Sequence, residues 1–573
     1  MGAITGRAFL RHFRESRVLR MRSLFFKVNN FFMKYKINKL ELKIMTPLLI
    51  LCVLSSCTKK FETINTPWDG SPSANPQQLY IGFVGKLLLA YNDQSTMNAY
   101  WYPISQQGIV YTKPDYSYDG GPSDEWSNFY HNLSNYKAMM ATIAASKDST
   151  IYTNVKAMMK VLRAYEAIKL SDFYGDMPFS QAGNAIDNQP ADYSPPYDKQ
   201  QSIYVSCLND LQWSVNNFSA TDAKQLSLGS GDLVLLNDIP QWIKFANSLR
   251  LRLALTIYDK DPTDATPQIA DALAKPLLSD YASDNIGLYP ANIPNLDLGE
   301  REFGFGTECR LRMGTTMWQM MSSNNNPDGS GIFDPRCNIF FEPNNAGNWN
   351  PYPQNPTAAT PDGGDPYNHD IRDKNWANKN GNGTPPTINQ YSNFNYYWGR
   401  DKNIPELFMT AAETHFLKAE IYARGIAGVT QNMGTAQTEY TAGITASVNF
   451  WTTQAMNSKV WVVNKPAALP DATAMNVLLT NPKVAFNPAT AVQQIYAQEW
   501  LDLFRQPWEA WTLMRRTGNQ TPMDPANAAY YTQTYGGYQR VQYPASEQTY
   551  NHKNWFAETN GSDQVGTKIW ITK

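Results

Sequence analysis

The feature that most constrains the fold of this chain is the recurrence of apolar residues at the spacing of an α-helix. Between Val155 and Leu170, the residues Met158, Leu162 and Tyr165 repeat every three or four positions and would share one helix face. The same periodicity predicts further helices over Leu79–Tyr91, Glu125–Ala145, Ile203–Phe218, Trp242–Tyr258, Ala411–Arg424 and Ile495–Arg516, the last as one helix or as two that meet at Pro507. Helical periodicity therefore dominates the chain.

The segment Ala411–Arg424 carries signals for both of its ends. Thr410 and Glu413 form a capping box, in which the two side chains satisfy backbone donors of the first helical turn. Gly425 stands where a glycine in the left-handed conformation commonly ends a helix. The sequence therefore predicts both ends of this helix.

The predicted helices follow one another in pairs, and small residues such as Ala412, Ala419 and Ala423 would allow close packing between partners. This pattern predicts helical hairpins similar to those of tetratricopeptide proteins, although no regular repeat of about 34 residues is present. Tyr100–Trp126 and Phe340–Trp398 interrupt the helices with irregular, aromatic-rich and amide-rich sequence. Irregular segments of this length are usually functional loops or disordered ones.

The N-terminal part has the pattern of an export signal. Basic residues up to Lys43 precede the apolar run Ile44–Leu54, and two serines then lead to Cys57. The run is too short to cross a bilayer, which takes roughly 20 helical residues. A leucine, two small residues and a cysteine resemble the lipobox of bacterial lipoproteins, which implies removal of a leader at 1–56, lipidation of Cys57 and a tether over 57–78. An ordinary signal peptide with a chance cysteine is the alternative.

Charge changes at this predicted cleavage site. Residues 1–56 carry eleven basic and two acidic side chains, so the remaining chain has a formal charge of −10 while the whole chain has −1. An acidic body without a basic block argues against nucleic acid as a partner and against electrostatic binding to anionic lipids. Membrane attachment would then depend on the lipid anchor.

Three cysteines remain once the leader and the anchor are set aside. They are Cys207, Cys309 and Cys337, an odd number that cannot form a complete disulfide framework. Cys309 and Cys337 could pair in an oxidising compartment, but sequence does not give the distance between them. Buried free thiols are the favoured interpretation.

A series of short motifs runs through the chain after the lipobox. In chain order they are Cys57–Asn65, Leu170–Ala182, Ala246–Ala254, Phe333–Arg336, Met409–Glu420, and Glu499–Phe504 with Glu509–Trp511 and Arg515–Gly518. Together and in this order they resemble the SusD/RagB family of nutrient-binding outer-membrane lipoproteins, over essentially the whole predicted mature chain.

The resemblance implies an all-α fold, in which a second, loop-rich region is laid over a scaffold of tetratricopeptide-like helical hairpins, in a binding domain at 79–573. It also implies capture of a glycan or another oligomeric nutrient and its delivery to a TonB-dependent outer-membrane transporter of the SusC type. The implied location is the outer membrane, lipid-anchored and facing the exterior. Family members often carry acidic residues directly after the cysteine, whereas this chain has Lys59 and Lys60 there. A periplasm-facing orientation therefore stays open.

No catalytic motif stands out in the sequence. The chain lacks a His-Glu-x-x-His pair, a Gly-x-Ser-x-Gly elbow and a phosphate-binding glycine loop. His415 lies inside a predicted helix, where a packed imidazole is the simpler interpretation. We therefore expect a binding protein that is not an enzyme and needs no cofactor. The alternatives are a surface hydrolase acting on glycans and a peptide-binding lipoprotein of the RagB type.

A structural calcium ion is a further alternative at Asp115–Gly120. This segment places oxygen ligands at the first, third and fifth positions and glycine at the sixth, as an EF-hand loop does. However, Trp126 occupies the twelfth position and Glu125 falls one residue short of it. A plain turn is favoured.

The aromatic residues of the irregular segments are the strongest binding candidates. A flat ring can stack on the apolar face of a sugar while amides bond its hydroxyl groups. The predicted ligand-binding residues are Trp101, Tyr102, Gln106, Gln107, Tyr111 and, from the second segment, Trp398. The alternative is that these side chains pack the loops onto the helices.

Overall fold

The computed structural model describes residues 75–87, 101–110, 120–186, 193–293, 311–344, 346–357, 359–361, 363, 390–395, 398, 401–461, 465–524 and 537–573. The lipobox, Cys57 and the tether up to residue 74 lie outside these residues. The α-helices of six or more residues in the described part are α1 Pro76–Val84, α2 Gly120–Ala145, α3 Thr153–Tyr174, α4 Gln200–Asn217, α5 Ile239–Ile257, α6 Pro262–Leu273, α7 Thr315–Met321, α8 Ala411–Arg424, α9 Met433–Asn457, α10 Ala472–Thr480, α11 Ala491–Asp502, α12 Pro507–Arg516, α13 Ala545–Tyr550 and α14 His552–Thr559.

The all-α prediction is confirmed, and the helix ends follow local sequence signals. Helix α8 has the predicted bounds, with the Thr410 hydroxyl accepting a hydrogen bond from the Glu413 amide at 3.0 Å and Gly425 at a φ of 62°. The final predicted segment does divide, because Pro507 starts a new helix. The first helix was predicted wrongly at its end, since α1 stops before Gly85.

Consecutive helices pack as hairpins, as in tetratricopeptide proteins. The pairs are α3 with α4, α5 with α6, and α8 with α9, and α5 also contacts α4 and α8. Helices α8 and α9 approach closely at Gly443, where a Cβ atom would lie 2.6 Å from the Phe416 ring. The absence of a side chain at this position therefore lets the two helices meet.

Short strands and irregular segments form the second region. Strand β1 (Ile286–Leu288) pairs antiparallel with β4 (Glu406–Met409), and β2 (Phe341–Glu342) pairs antiparallel with β3 (Asn393–Phe394). The Phe340 ring, just before β2, stacks on the Phe504 ring with centroids 4.0 Å apart. The loop-rich region thus shares its apolar interior with the C-terminal helices.

Buried charged groups join the layers. The Arg252 guanidinium on α5 forms an ion pair with Glu413 on α8, and its Nη2 lies 2.5 Å from a Glu413 oxygen. In the loop-rich region, Arg336 pairs with Asp334 at 2.7 Å and donates to the Ser447 hydroxyl of α9 at 3.0 Å. Three of the recognised sequence motifs therefore hold buried cations or anions that connect elements distant in sequence.

Two of the cysteines can be placed. Cys207 and Cys337 are free and buried, which confirms free thiols for these two, whereas Cys309 lies outside the described residues. Across the part of the chain that the structure describes, no helix is both long enough and apolar enough to cross a membrane.

Candidate functional site

The predicted binding rings of the first loop lie in the core. Trp101 is 3% exposed; its ring stacks on the Phe173 ring at a centroid distance of 4.7 Å and packs against the tilted Trp511 ring at 5.1 Å. Tyr102 is fully buried and meets Phe394 edge-to-face at 4.8 Å. Neither ring offers a free face to a ligand in this structure.

The predicted amides and the second-loop ring are also buried. Gln106 donates from Nε2 to the Pro103 carbonyl at 3.1 Å, and Gln107 donates from Nε2 to the Trp500 carbonyl at 2.5 Å. Trp398 donates from its indole nitrogen to the Phe340 carbonyl at 3.1 Å. These three side chains donate to buried backbone carbonyl groups, whereas the sequence predicted that they would face a ligand.

The five placed residues therefore support packing of the loops rather than an exposed binding platform, which corrects the sequence prediction at Trp101, Tyr102, Gln106, Gln107 and Trp398. The physical reason is that large aromatic rings gain more from burial than from solvent exposure when a core is within reach. Tyr111, the sixth predicted residue, lies outside the described residues.

The two irregular segments pack together in the structure, a contact that the sequence did not predict. Ile109 and Arg312 form an antiparallel bridge, and Arg312 forms another with Asn393. The Gln354 side chain donates to the Gly108 carbonyl at 2.9 Å. Residues from both predicted loops thus build one loop-rich layer.

A cleft elsewhere has the composition of a polar binding site. It has a volume of about 500 Å³ and lies where the end of α3, the start of α4 and the C-terminal segment meet. We call it the C-terminal cleft, and the lining residues used below are Asp176, Lys199, Arg540, Glu558, Asn560 and Trp570. Its volume falls within the usual range of roughly 300–1,000 Å³ for small-molecule sites.

The sequence at the end of α3 shapes one wall of the C-terminal cleft. Gly175 ends the helix at a φ of 83°, a conformation that residues with a side chain rarely adopt. The following residue, Asp176, accepts a hydrogen bond from the Gln200 amide at 2.8 Å, which fixes the first turn of α4 beside it. The Leu170–Ala182 motif thus delivers a carboxylate to the cleft.

Lys199 connects two carboxylates across the cleft. Its Nζ lies 2.6 Å from an Asp176 oxygen and 3.0 Å from a Glu558 oxygen, while 70% of its side chain stays exposed. Burial and the nearby charge of Asp176 raise the pKa of Glu558. Burial alone would lower the pKa of Lys199, but its hydrogen bonds to Asp176 and Glu558 outweigh that effect and raise it. A ligand in the cleft would therefore meet the charged ammonium group of Lys199, while the carboxyl groups of Asp176 and Glu558 are already bonded to that lysine.

An aromatic ring and further polar groups complete the C-terminal cleft. Trp570 is half-buried, and its ring lies 6.2 Å from the Tyr204 ring. Arg540 is held by Asp563 at 2.5 Å. The cleft therefore combines one indole ring with amide, hydroxyl and charged groups, a composition suited to a polyhydroxylated ligand.

Sequence reasoning missed this cleft because its walls are far apart in the chain. Asp176 belongs to a motif that the sequence singled out, but Glu558 and Trp570 lie more than 350 residues later, in a segment without a motif. A residue spacing cannot indicate a contact over that separation. The only local signal was the helix-ending glycine before Asp176.

Two further candidates from the sequence are His415, as a reactive side chain, and the segment Asp115–Gly120, as a calcium loop. Both ring nitrogens of His415 have partners, a Glu439 oxygen at 2.6 Å and the Ser279 carbonyl at 3.1 Å, in agreement with a packed imidazole. Among the residues with described positions, no group of three or more histidine, cysteine or acidic side chains could hold a metal ion. The proposed calcium loop lies outside that part, except for Gly120, which begins α2.

Comparison with known proteins identifies related folds. Residues 78–544 match the model of the family SusD-like_2, which is described as starch-binding and associating with the outer membrane. Among curated proteins, no sequence matches significantly.

Several solved structures share the fold. One titled as a chitin-binding protein has a TM-score of 0.64 and 22% identity, over 87% of this chain and 100% of its own. A chitin-binding SusD homolog from Flavobacterium johnsoniae has a TM-score of 0.62 and 21% identity, over 87% and 98%. A SusD-like protein from Bacteroides thetaiotaomicron has a TM-score of 0.61 and 19% identity, over 87% and 99%.

Proposed function

Because this chain belongs to the SusD-like family, whose model matches residues 78–544, we propose that it captures an oligosaccharide at the outer membrane for import. The family match carries the proposal, since the family is described as starch-binding and outer-membrane-associated. The two chitin-binding structural relatives add a second glycan class to consider. Starch-derived and chitin-derived oligosaccharides are therefore the first ligands to test.

The C-terminal cleft is the proposed site. Trp570 would stack on the apolar face of one sugar ring, and the Lys199 ammonium and the Asn560 amide would bond its hydroxyl groups. Capture for import requires release to a transporter, so we expect modest affinity, with a dissociation constant of about micromolar to millimolar. The exposed part of Lys199 makes this contact possible without breaking its ion pairs.

Attachment and delivery complete the proposal. Cys57 carries the lipid anchor after removal of the leader, and the acidic body is displayed at the cell exterior. The partner is a TonB-dependent transporter of the SusC type, onto which the binding protein docks. Replacing Cys57→Ala should release the chain from membranes or leave it unprocessed, whereas unchanged attachment would contradict the anchor. Co-purification from native membranes should recover the transporter.

The chain would bind its ligand without cleaving it. Glycoside hydrolysis uses one carboxyl group as an acid and a second carboxylate as a base or nucleophile, whereas Asp176 and Glu558 are both paired with Lys199. An amide-rich and charged cleft would equally accommodate a peptide, so peptide binding is a separate outcome of the test.

The decisive experiment is calorimetric titration of the purified mature chain with maltoheptaose, chitohexaose and a tryptic digest of casein. We expect one of the oligosaccharides to bind and to remain intact after prolonged incubation. Trp570→Ala should weaken binding by about tenfold or more, while Trp213→Ala, a half-buried tryptophan outside the cleft, should not. Binding of the peptide digest alone, or accumulation of cleaved sugar, would overturn the proposal.

A further inference from the structure

Among the described residues, exposed aromatic side chains are rare, and the segments that carry them lie next to one another. Within the described residues, the exposed large apolar side chains are Ile81, Tyr193, Leu236, Val477, Tyr550 and Phe556. The three aromatic members are Tyr193, which is 80% exposed, Tyr550, which is 79% exposed, and Phe556, which is 52% exposed. The chain is 13% aromatic and buries most of its described rings, so these three need an explanation.

The segments that carry these three rings are joined by hydrogen bonds. The Ser194 hydroxyl donates to the Tyr550 carbonyl at 3.4 Å, which places the segment that carries Tyr193 against the end of α13. The Asn554 side chain, on α14, donates to the Ser194 carbonyl at 2.8 Å and thereby attaches the same segment to the helix that carries Phe556. We call this region, defined by Tyr193, Tyr550 and Phe556, the aromatic surface.

The aromatic surface continues into the C-terminal cleft. Phe556 and Glu558 lie on the same helix, and Glu558 lines the cleft. The turn after α14 contacts the Phe556 ring, since a Cβ atom on Gly561 would lie 2.8 Å from it. Asn560, in that turn, also lines the cleft. One short turn therefore separates the exposed ring from the proposed sugar site.

The surroundings of these rings are polar and suited to a sugar chain. The imidazole of His552 stacks on the Phe556 ring at a centroid distance of 6.0 Å and an interplanar angle of 27°. Both tyrosines carry a hydroxyl group beside an apolar ring face, so each can contact both the faces and the hydroxyl groups of a sugar. The exposed aliphatic residues Ile81, Leu236 and Val477, by contrast, lie in segments that contribute no residue to the cleft.

We propose that the aromatic surface binds the further sugar units of an oligosaccharide whose end occupies the C-terminal cleft. This inference rests on the proposed function and extends it, because it makes the preferred ligand an extended chain rather than a single sugar. Each stacked ring adds contact energy to a chain that the cleft already holds, so affinity rises with chain length. Short sugars reach only the cleft and gain nothing from the rings.

The experiment compares chain-length series on the wild-type mature protein and on two variants. The probes are maltotriose, maltopentaose and maltoheptaose, with chitobiose, chitotetraose and chitohexaose as the second series, measured by calorimetry. The test variant is Tyr193→Ala combined with Tyr550→Ala, because the high exposure of both side chains leaves folding unaffected. The matched control is Val477→Ala, an exposed apolar residue on α10. Melting curves verify that all three proteins are folded.

We expect the affinity of wild type and of Val477→Ala to rise about tenfold or more from the shortest to the longest sugar of the bound series. In the double variant this rise should shrink to about threefold or less, with binding of the shortest sugar unchanged. Hydroxyl-radical footprinting with the longest sugar should protect both tyrosines in wild type.

Three other results would overturn the inference in distinguishable ways. If the double variant keeps the full length dependence, the aromatic surface does not contact the sugar, although the proposed function stands. If neither series binds to wild type, the proposed function fails for these glycans and the inference fails with it. If the double variant binds sugars normally but loses the co-purified transporter, the surface belongs to a protein partner instead.

Discussion

The indole ring of Trp101 stacks on the phenyl ring of Phe173 with centroids 4.7 Å apart. Phe173 lies near the end of α3, and Trp511 of α12 packs against the indole at 5.1 Å. The first irregular segment is thus fastened to the helical scaffold by a ring that sequence reasoning assigned to ligand binding. Aromatic richness in a loop can indicate an anchor to the core as well as a recognition surface.

Replacing Trp101→Ala should therefore destabilise the protein. Removal of a buried tryptophan leaves a cavity between Phe173 and Trp511 and typically costs about 3–5 kcal/mol of unfolding free energy. Denaturant unfolding followed by circular dichroism measures the loss. Tyr193→Ala is the control, because its exposed ring should change the unfolding free energy by only about 0.5 kcal/mol. An unchanged midpoint for Trp101→Ala would contradict the core assignment.

Local sequence signals predicted the ends of helix α8, but they did not predict which distant residues its side chains contact. Thr410 and Gly425 cap α8 as the sequence indicates. The Glu413 carboxylate, however, does not complete the expected capping box with the Thr410 amide and instead forms the ion pair with Arg252. The capping pattern spans four residues, whereas the ion-pair partner is 161 residues away, so only the first could be recognised.

The same distinction applies to the candidate sites. Aromatic and amide composition identified segments that do pack together, but composition does not state which face of a ring is covered. Trp101 and Trp398 are covered by helices from distant parts of the chain, and Tyr193 is not. The rings that remain exposed were missed because their exposure depends on tertiary packing alone.

The buried ion pair between Arg252 and Glu413 should show strong coupling. Arg252→Met leaves the Glu413 carboxylate buried without its main cation and should cost about 3–5 kcal/mol. Combining it with Glu413→Gln removes the unpaired charge, so the double variant should recover part of the loss. A double-mutant cycle from urea unfolding measures the coupling. If the two single effects simply add, the pair contributes little to stability.

Gly175 should tolerate no side chain. Its φ of 83° is unfavourable for alanine, and a Cβ atom would lie 2.9 Å from the Ile569 side chain. Gly175→Ala should therefore cost about 2 kcal/mol or more, and it should also weaken sugar binding because Ile569 precedes Trp570. The control is Gly537→Ala, where a Cβ atom meets no neighbour within 4 Å. Calorimetry and thermal unfolding of both variants measure these effects, and equal stability of the two would contradict the argument.

Three buried carboxyl groups should make the stability of the helical core depend on pH. Burial raises the pKa of Asp172 to about 7, of Glu499 to about 8 and of Asp502 to about 6, although hydrogen bonds and nearby arginines act in the opposite direction. Glu499 and Asp502 lie together on α11, inside one of the recognised motifs. Each group retains its proton in the folded protein at pH values where the unfolded chain has lost it.

Stability should therefore fall as the pH rises above about 5. A raised folded-state pKa contributes stability that is fully present below the unfolded value, near 4, and is lost as the pH rises through the folded value. The loss is about 1.4 kcal/mol per pH unit for each group while its proton is held only by the folded state. Guanidinium unfolding between pH 5 and 9 should show this decline across the window of about pH 5–8.

The variant Glu499→Gln tests whether Glu499 contributes to this decline. Glutamine has no proton to lose, so the slope between about pH 5 and 8 should become shallower by about 1.4 kcal/mol per pH unit. Glu439→Gln is the control, because hydrogen bonds to His415 and Lys418 lower the pKa of Glu439 despite its partial burial, and its effect falls below that window. A slope that is the same in wild type and in Glu499→Gln would show that Glu499 ionises at an ordinary pKa and that its burial is relieved by water.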